Sequence, residues 1–199
     1  EPVAGRAPRC AAPEPEDPPD GSGRPRGEPA GRAPSTPSAL GLGADDAGEG
    51  PDAGELAAVI GEECKNVSPE EVPDVVRGYT IMNDVDALDQ QGRTARKAFD
   101  GSGPLGPWIE TELDPRGIDM HTEIDGERRQ EANTELMLFD PYEVVSYLSE
   151  RFTFSPGDVI AFGSPANPGT IEPGNEIEIT YEGVGTLRNT VAALTDAAP

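Results

Sequence analysis

The apolar positions of this chain fall into short runs that predict strands joined by tight turns. Residues 55–61 form an almost continuous apolar run, which indicates a buried strand. Residues 118–124 alternate apolar and polar side chains, and Asp125-Gly126 is a strong hairpin turn into residues 127–130. Similar patterns predict four more strands, at 80–85, 158–162, 176–181 and 184–188.

Two helix starts interrupt the strands. Ser68-Pro-Glu-Glu71 and Asp140-Pro-Tyr-Glu143 each combine a capping side chain, a proline at the first helical position and a glutamate three residues after the cap. The first helix should be short and end before Gly78, because Pro73 lies within its first turns. Many short strands with two short helices predict a β-rich α+β domain. No G-x-G-x-x-G opens a helix, so a Rossmann dinucleotide site is excluded.

Composition divides the chain near residue 54. Residues 1–54 hold 11 of the 22 prolines, lack aromatic residues and isoleucine, and are rich in Gly, Ala, Glu and Arg. Such a segment buries too little apolar surface to offset its ordering entropy, so we expect a disordered low-complexity segment. Residues 55–199 have an ordinary globular composition and predict one folded domain.

The chain is strongly acidic, with a net charge of −23. Residues 55–199 carry 28 Asp and Glu against 10 Lys and Arg, a net −18, and Lys65 and Lys97 are the only lysines. Phosphate backbones and anionic membrane surfaces would be repelled, so we expect no nucleic-acid and no membrane partner. Abundant carboxylate with little lysine indicates a protein adapted to concentrated salt, where screening weakens self-repulsion.

The sequence carries no feature of a secreted or membrane protein. Cys10 and Cys64 lie in very different contexts, which argues against a disulfide framework. No apolar run approaches the roughly 18 residues of a membrane span, and the N-terminus lacks a signal-peptide pattern. We therefore expect a soluble cytoplasmic protein. The first residue is Glu, which indicates a fragment.

Glu55, Asp84 and Lys97 are the candidate chemical groups. Most carboxylates of so acidic a chain form a solvated face, but Glu55 and Asp84 each border an apolar strand. Two carboxylates at strand ends can hold Mg²⁺, a Lewis acid for a chelated 2-oxo acid. Lys97 is either a solvated lysine or an ammonium fixed beside that site, where it could pair with a substrate carboxylate.

A turn after the predicted strand 158–162 offers a second type of site. Gly163-Ser-Pro-Ala-Asn-Pro-Gly169 is either an ordinary turn or a backbone nest whose N–H groups and Ser164 hydroxyl bind a carboxylate. His121 is the only histidine and lies on the alternating strand, where a structural or surface role is expected. A Ser-His-Asp triad and a zinc site of several histidines are therefore excluded.

From about residue 55 to 191 the chain resembles the fumarylacetoacetate hydrolase family, in its C-terminal catalytic domain. The resemblance rests on an ordered set of motifs: Glu55-Leu-Ala-Ala-Val-Ile-Gly61, Gly78-Tyr-Thr-Ile-Met-Asn-Asp84, Lys97-Ala-Phe-Asp100, Gly103-Pro-Leu-Gly-Pro-Trp108, Pro156-Gly-Asp-Val-Ile-Ala-Phe-Gly-Ser-Pro165 and Gly183-Val-Gly-Thr-Leu-Arg-Asn-Thr-Val191. The later half is most similar to the branch of 2-hydroxyhepta-2,4-diene-1,7-dioate isomerases and 5-oxopent-3-ene-1,2,5-tricarboxylate decarboxylases, enzymes of aromatic-compound catabolism.

The resemblance implies a mixed β-sandwich roll with a few short helices, usually dimeric, so we expect a homodimer. It implies Mg²⁺ or Mn²⁺ held by a Glu-x-Glu pair and a later Asp, and 2-oxo or 2-hydroxy-dienoic acids that react through a metal-bound enolate. Carried over by position, Glu55 and Asp84 are metal ligands and Lys97 is the catalytic lysine. Gln91, Gly163 and Ser164 are substrate contacts, with Ser164 standing where the family usually has Thr.

Three departures accompany the resemblance. The first glutamate of the pair falls on Ala53, Leu88 replaces a usual Arg, and the family's upstream His/Glu base region has no counterpart in residues 1–54. One hypothesis is that residues 1–53 are translated from a shifted reading frame of a GC-rich gene. The leading function is a metal-dependent isomerase or decarboxylase of a dicarboxylic substrate. The alternatives are a C–C hydrolase of acylpyruvate-like substrates and an inactive truncated domain.

Overall fold

The structure, a computed structural model, describes residues 38–43, 50–86, 97–99 and 101–194. Strands dominate these ranges, and two short α-helices lie wholly within them. The strands are β1 Ser38–Gly43, β2 Gly50–Ile60, β3 Val76–Val85, β4 Leu105–Glu110, β5 Asp119–Ile124, β6 Glu127–Asn133, β7 Val159–Ala161, β8 Gly169–Ile171, β9 Glu176–Tyr181 and β10 Gly185–Leu194. The helices are α1 Val72–Val75, preceded by the 3₁₀ turn Pro69–Glu71, and α2 Pro141–Ser149; a second 3₁₀ turn spans Thr134–Leu136.

The strands form two sheets. The first has the order β1-β10-β9-β5-β6, with β1 parallel to β10 and the other pairs antiparallel. The second has the order β4-β3-β2-β7, and β8 also pairs with β2, all antiparallel. The predicted β-rich α+β class and the mixed β-sandwich with few helices are therefore confirmed.

The core lies between the two sheets and is dominated by isoleucine, valine and leucine. Leu56, Ala58 and Ile60 alternate along β2 and pack into one buried cluster with Ile177 and Ile179 of β9. The sheets approach closely at Gly54, where an added Cβ would lie 2.7 Å from Ile179 Cγ2 and Thr122 Oγ1. Any larger residue at position 54 would push the sheets apart beside the candidate site.

Both predicted helix starts are confirmed. The Ser68 N–H donates to the Glu71 carboxylate at 3.0 Å, and the short helical segment ends where β3 begins, before Gly78. The Asp140 carboxylate accepts from the N–H of Tyr142 at 2.8 Å and of Glu143 at 2.9 Å. These caps satisfy N–H groups that have no partner inside a helix.

The predicted strands are all found, with shifted ends. The structure adds β4 and β8, which the pattern did not indicate, because β4 contains Gly106-Pro107 and β8 has three residues. It also describes β1, and β2 from residue 50 onwards, inside the segment that the sequence predicts to be disordered. The domain boundary near residue 54 stays a prediction. No helix among the described residues is long and apolar enough to cross a membrane.

Candidate metal and substrate site

The pairing of β2 with β3 brings the candidate carboxylates to one face of the second sheet. Ala53 is paired with Asp84, and Glu55 is paired with Met82. Because side chains alternate along a strand, Ala53, Glu55 and Asp84 share a face, and Glu55 lies diagonally from Asp84. Gly54 is on the opposite face, toward the first sheet. The predicted ligands therefore meet across two neighbouring strands.

Glu55 is a buried carboxyl group with a backbone donor. Its side chain is 7% exposed, and Oε2 accepts from the Gly163 N–H at 2.9 Å. Burial raises the pKa of Glu55 above its usual value, the Gly163 hydrogen bond works in the opposite direction, and the charge of Asp84 raises the pKa further. A cation bound at this position would favour the ionised form of Glu55.

Lys97 supplies a positive charge at the same place. Its Nζ forms an ion pair with Asp84 and lies 3.4 Å from Asp86 Oδ2. Partial burial alone would lower the pKa of Lys97, but the hydrogen bond and charge of Asp84, with the charge of Asp86, raise it above its usual value. Lys97 is therefore an ammonium group at neutral pH, suited to pair with an anion and unsuited to act as a base.

The loop between β7 and β8 closes the other side of Glu55. β7 ends at Ala161, the Phe162 N–H donates to the Leu56 carbonyl at 3.0 Å, and the Gly163 N–H then turns to Glu55. Gly163 has a φ of 89°, a conformation that glycine adopts without strain. Ser164 follows it and is exposed. The loop thus places an exposed hydroxyl one residue from the Glu55 hydrogen bond.

A cleft of about 450 Å³ borders the same loop. Gly163, Ser164 and Pro165 form part of its wall, and the rest is mostly apolar, with Leu56, Met120, Ala132, Leu136, Met137, Leu138, Phe139, Val144, Phe162 and Tyr181 among the lining residues. Glu131 is the one charged side chain among the described residues of the lining. The cleft therefore offers an apolar environment next to the Gly163–Pro165 loop.

The structure brings together four of the six predicted site residues: Glu55, Asp84, Lys97 and Gly163. Ser164 lies beside them, and Gln91 is outside the described residues. Two groups were missed by the sequence reasoning. Asp86 could have been found, because it lies two positions after Asp84, whereas no local signal in the sequence marks Gln130 of β6. The roles of all these residues stay predictions.

The donor set can be tested against a divalent cation. Glu55 and Asp84 offer acceptor oxygens close enough for their charges to interact, which suits a hard cation such as Mg²⁺ that takes one or two carboxylates and completes its shell with water and substrate. Ala53 adds no ligand, and the described residues contain no group of three or more His, Cys, Asp and Glu arranged to hold a metal. The residues therefore fit a two-carboxylate site.

Comparison with known proteins identifies relatives of this chain. Residues 49–192 match the family model of the fumarylacetoacetate hydrolase C-terminal domain. A 4-hydroxyphenylacetate degradation bifunctional isomerase/decarboxylase from Salmonella dublin is 39% identical over 145 residues, which are 69% of this chain and 34% of that protein.

Two solved structures are similar in fold and in sequence. The 2-hydroxyhepta-2,4-diene-1,7-dioate isomerase of Mycobacterium marinum superposes with a TM-score of 0.75 at 42% identity, over 82% of this chain and 65% of that one. The maleylpyruvate hydrolase of Sphingobium sp. SYK-6, in complex with manganese(II) and pyruvate, superposes with a TM-score of 0.73 at 34% identity, over 79% of this chain and 60% of that one.

The match leaves part of each relative uncovered. This chain spans 60%, 55% and 58% of the length of three other curated relatives. Within the matched region, however, the family model covers most of the described residues, including β2, β3 and the loop after β7. The chain belongs to the fumarylacetoacetate hydrolase family.

Proposed function

We propose that this chain is the catalytic part of a divalent-metal-dependent isomerase or decarboxylase acting on a 2-oxo or 2-hydroxy-dienoic dicarboxylic acid. One observation carries the proposal: two carboxylates, an ammonium group and a backbone N–H converge on one face of β2 and β3, at Glu55, Asp84, Lys97 and Gly163. The isomerase from Mycobacterium marinum and the isomerase/decarboxylase from Salmonella dublin support the reaction class.

Each residue has a role that follows from its surroundings. Glu55 and Asp84 would hold Mg²⁺ or Mn²⁺, which when bound supplies a Lewis acid for the oxygens of a 2-oxo acid. Lys97, charged at neutral pH, would pair with a substrate carboxylate or with negative charge that develops during the reaction. The Gly163–Ser164 turn would orient the substrate through Ser164, and Gln91 would add a further contact.

Two alternatives have an observation in their favour. Similarity to a maleylpyruvate hydrolase favours C–C hydrolysis of an acylpyruvate-like substrate. Ala53, paired with Asp84, favours an inactive domain that has lost one metal ligand. Exposed apolar side chains near the cleft, with Leu136 77%, Leu138 95% and Phe139 65% exposed, support a homodimer as the functional state. We also propose that the protein is cytoplasmic and adapted to high salt.

Metal binding is the first test. Mn²⁺ affinity is measured by electron paramagnetic resonance for the native chain, for Asp84→Asn and for the control Glu150→Gln, whose exposed carboxylate pairs with Arg151. We expect saturable Mn²⁺ binding by the native chain, at least tenfold weaker binding by Asp84→Asn, and unchanged binding by Glu150→Gln. Equal binding by all three proteins would show that Mn²⁺ binds only the acidic surface and would favour the inactive domain.

Activity is the second test. Oxaloacetate decarboxylation and dienoate isomerisation are assayed with Mg²⁺ and with Mn²⁺, alongside acylpyruvate hydrolysis. Activity in the first two assays that Lys97→Gln abolishes would support the proposal. Activity in the third assay alone would replace it with the hydrolase. Light scattering of the same samples measures the oligomeric state.

A further inference from the structure

A buried glutamine connects the two sheets at the candidate site. Gln130 lies on β6, the edge strand of the first sheet, and its side chain is 1% exposed. Its Oε1 accepts from the Gly54 N–H at 3.2 Å and from the Thr122 hydroxyl at 3.0 Å, and its Nε2 donates to the Pro165 carbonyl at 2.9 Å. One side chain therefore contacts strand β2 and the loop after β7 at once.

The partners fix the orientation of the amide. The Gly54 N–H can only donate and the Pro165 carbonyl can only accept, so Oε1 must face Gly54 and Nε2 must face Pro165. A residue with only donors or only acceptors would leave either the buried Gly54 N–H or the partly buried Pro165 carbonyl without a partner, which is costly. Position 130 therefore requires a side chain that carries a hydrogen-bond donor and an acceptor on one rigid plane.

The two main-chain contacts of Gln130 flank the candidate site. Gly54 precedes Glu55 in β2, and Pro165 follows Ser164 in the loop. The loop is also held at Gly163, whose N–H donates to Glu55. Ser164 is thus fixed on one side through Gly163 and on the other through Pro165, although its own side chain is exposed.

We propose that Gln130 is a positioning residue that sets the Gly163–Pro165 loop against Glu55, and thereby holds Ser164 in place for a substrate carboxylate. The substrate part of this inference rests on the proposed function, whereas the geometric part does not. Loss of the Gln130 amide would free the loop at Pro165, while the Phe162 and Gly163 N–H groups would still donate to the Leu56 carbonyl and to Glu55 at its start. Gln130 would touch neither metal nor substrate.

The geometric part is tested by amide hydrogen exchange. Gln130→Met keeps the length of the side chain and removes both polar groups, and Thr122→Val removes only the hydroxyl that orients Oε1. We expect the Gly163 amide to exchange on the order of tenfold faster in Gln130→Met, since roughly one hydrogen bond of support is lost, and less fast in Thr122→Val. The readout is Gly163, because Gly54 loses its own acceptor in any case.

Ser149→Ala is the matched control. Ser149 is fully buried, like Gln130, but it lies at the end of α2. Its hydroxyl accepts from the Val67 N–H at 3.0 Å and donates to the Ser146 carbonyl at 2.7 Å. Its loss should lower global stability without a selective effect on Gly163. Unchanged exchange at Gly163 in both Gln130→Met and Thr122→Val, or an equal increase in Ser149→Ala, would overturn the positioning role.

Kinetics tests the substrate part separately. With oxaloacetate and Mn²⁺, Gln130→Met should raise KM roughly tenfold with little change in kcat, as expected when ground-state and transition-state binding are lost together. Thr122→Val should lie between Gln130→Met and the native chain. Faster exchange at Gly163 with no change in KM would overturn the role in substrate binding. If the native chain has no activity, the proposed function fails while the exchange result still decides the geometric claim.

Discussion

Position 53 offers the sharpest test of how the site is built. Ala53 is 9% exposed and paired with Asp84, so the substitution Ala53→Glu places a third carboxylate beside Glu55 and Asp84. Directly opposed residues in an antiparallel pair have Cβ atoms about 5 Å apart. At that separation and an effective dielectric constant of about 20, the repulsion between the new carboxylate and Asp84 costs about 3 kcal/mol.

Lys97 offsets part of this repulsion because its ammonium group pairs with Asp84. We therefore expect Ala53→Glu without metal to be about 2–3 kcal/mol less stable than the native chain, a decrease in Tm of about 5–10 °C. Mn²⁺ should reverse the loss, because a ligand at one hundred times its Kd stabilises the folded state by about 2.7 kcal/mol. The same substitution should tighten Mn²⁺ binding at least tenfold.

Calorimetric Tm measurements with and without Mn²⁺, together with Mn²⁺ titrations of each protein, check this expectation. Ala53→Gln is the control, since it has the same length and no charge. If Ala53→Glu is no less stable than Ala53→Gln and binds Mn²⁺ no more tightly than the native chain, position 53 does not face Asp84 and the assignment of the site to this face is wrong.

Further predictions concern the neighbouring groups. Burial raises the pKa of Glu55, so the folded state holds this proton to a higher pH than the unfolded state does. The resulting stabilisation is lost as pH rises above the ordinary pKa of 4.5. In urea denaturation, the free energy of unfolding should therefore fall less steeply with pH above 4.5 in Glu55→Gln than in the native chain. Lys97→Gln should abolish activity but reduce stability by less than about 1 kcal/mol, because the Lys97 side chain is 46% exposed, and a large loss in Tm would contradict this. Gly78→Ala should destabilise by about 1–3 kcal/mol, since the new Cβ would lie 2.4 Å from the Glu110 carbonyl oxygen; an unchanged Tm would refute the close approach of β3 and β4. Added KCl should raise Tm by screening the net charge of −23, and a fall in Tm would count against adaptation to salt.

Local chemistry explains which parts of the fold could be predicted. The caps at Ser68 and Asp140 depend on residues three positions apart, so the sequence alone indicated both helices. The hairpin at Asp125-Gly126 depends on two residues that adopt positive φ, 50° and 77°, as such tight turns require. In each case the information needed lies within a few residues of the element.

The candidate site depends instead on contacts between distant segments. Glu55 meets Gly163 across 108 positions, and Gly54 meets Gln130 across 76. No local pattern distinguishes Gln130 from an exposed glutamine on a hairpin, because its neighbours Arg129 and Glu131 are exposed. The borders of the apolar strands indicated Glu55 and Asp84, and the resemblance to a family assigned roles to these residues and to Lys97, while the supporting contacts became visible only in three dimensions.

Gly54 has a consequence for solubility that is separate from catalysis. β7 and β8 pair with β2 only at residues 57–59 and 50–52, so the backbone of β2 has a gap in its pairing between them. In that gap the Gly54 N–H is bound by Gln130, and the Gly54 carbonyl accepts from the Tyr181 hydroxyl at 3.3 Å. Unpaired strand edges invite pairing with other chains. The two side chains thus act as caps on a strand edge, and variants that lose them would be prone to aggregate even where the rest of the fold survives.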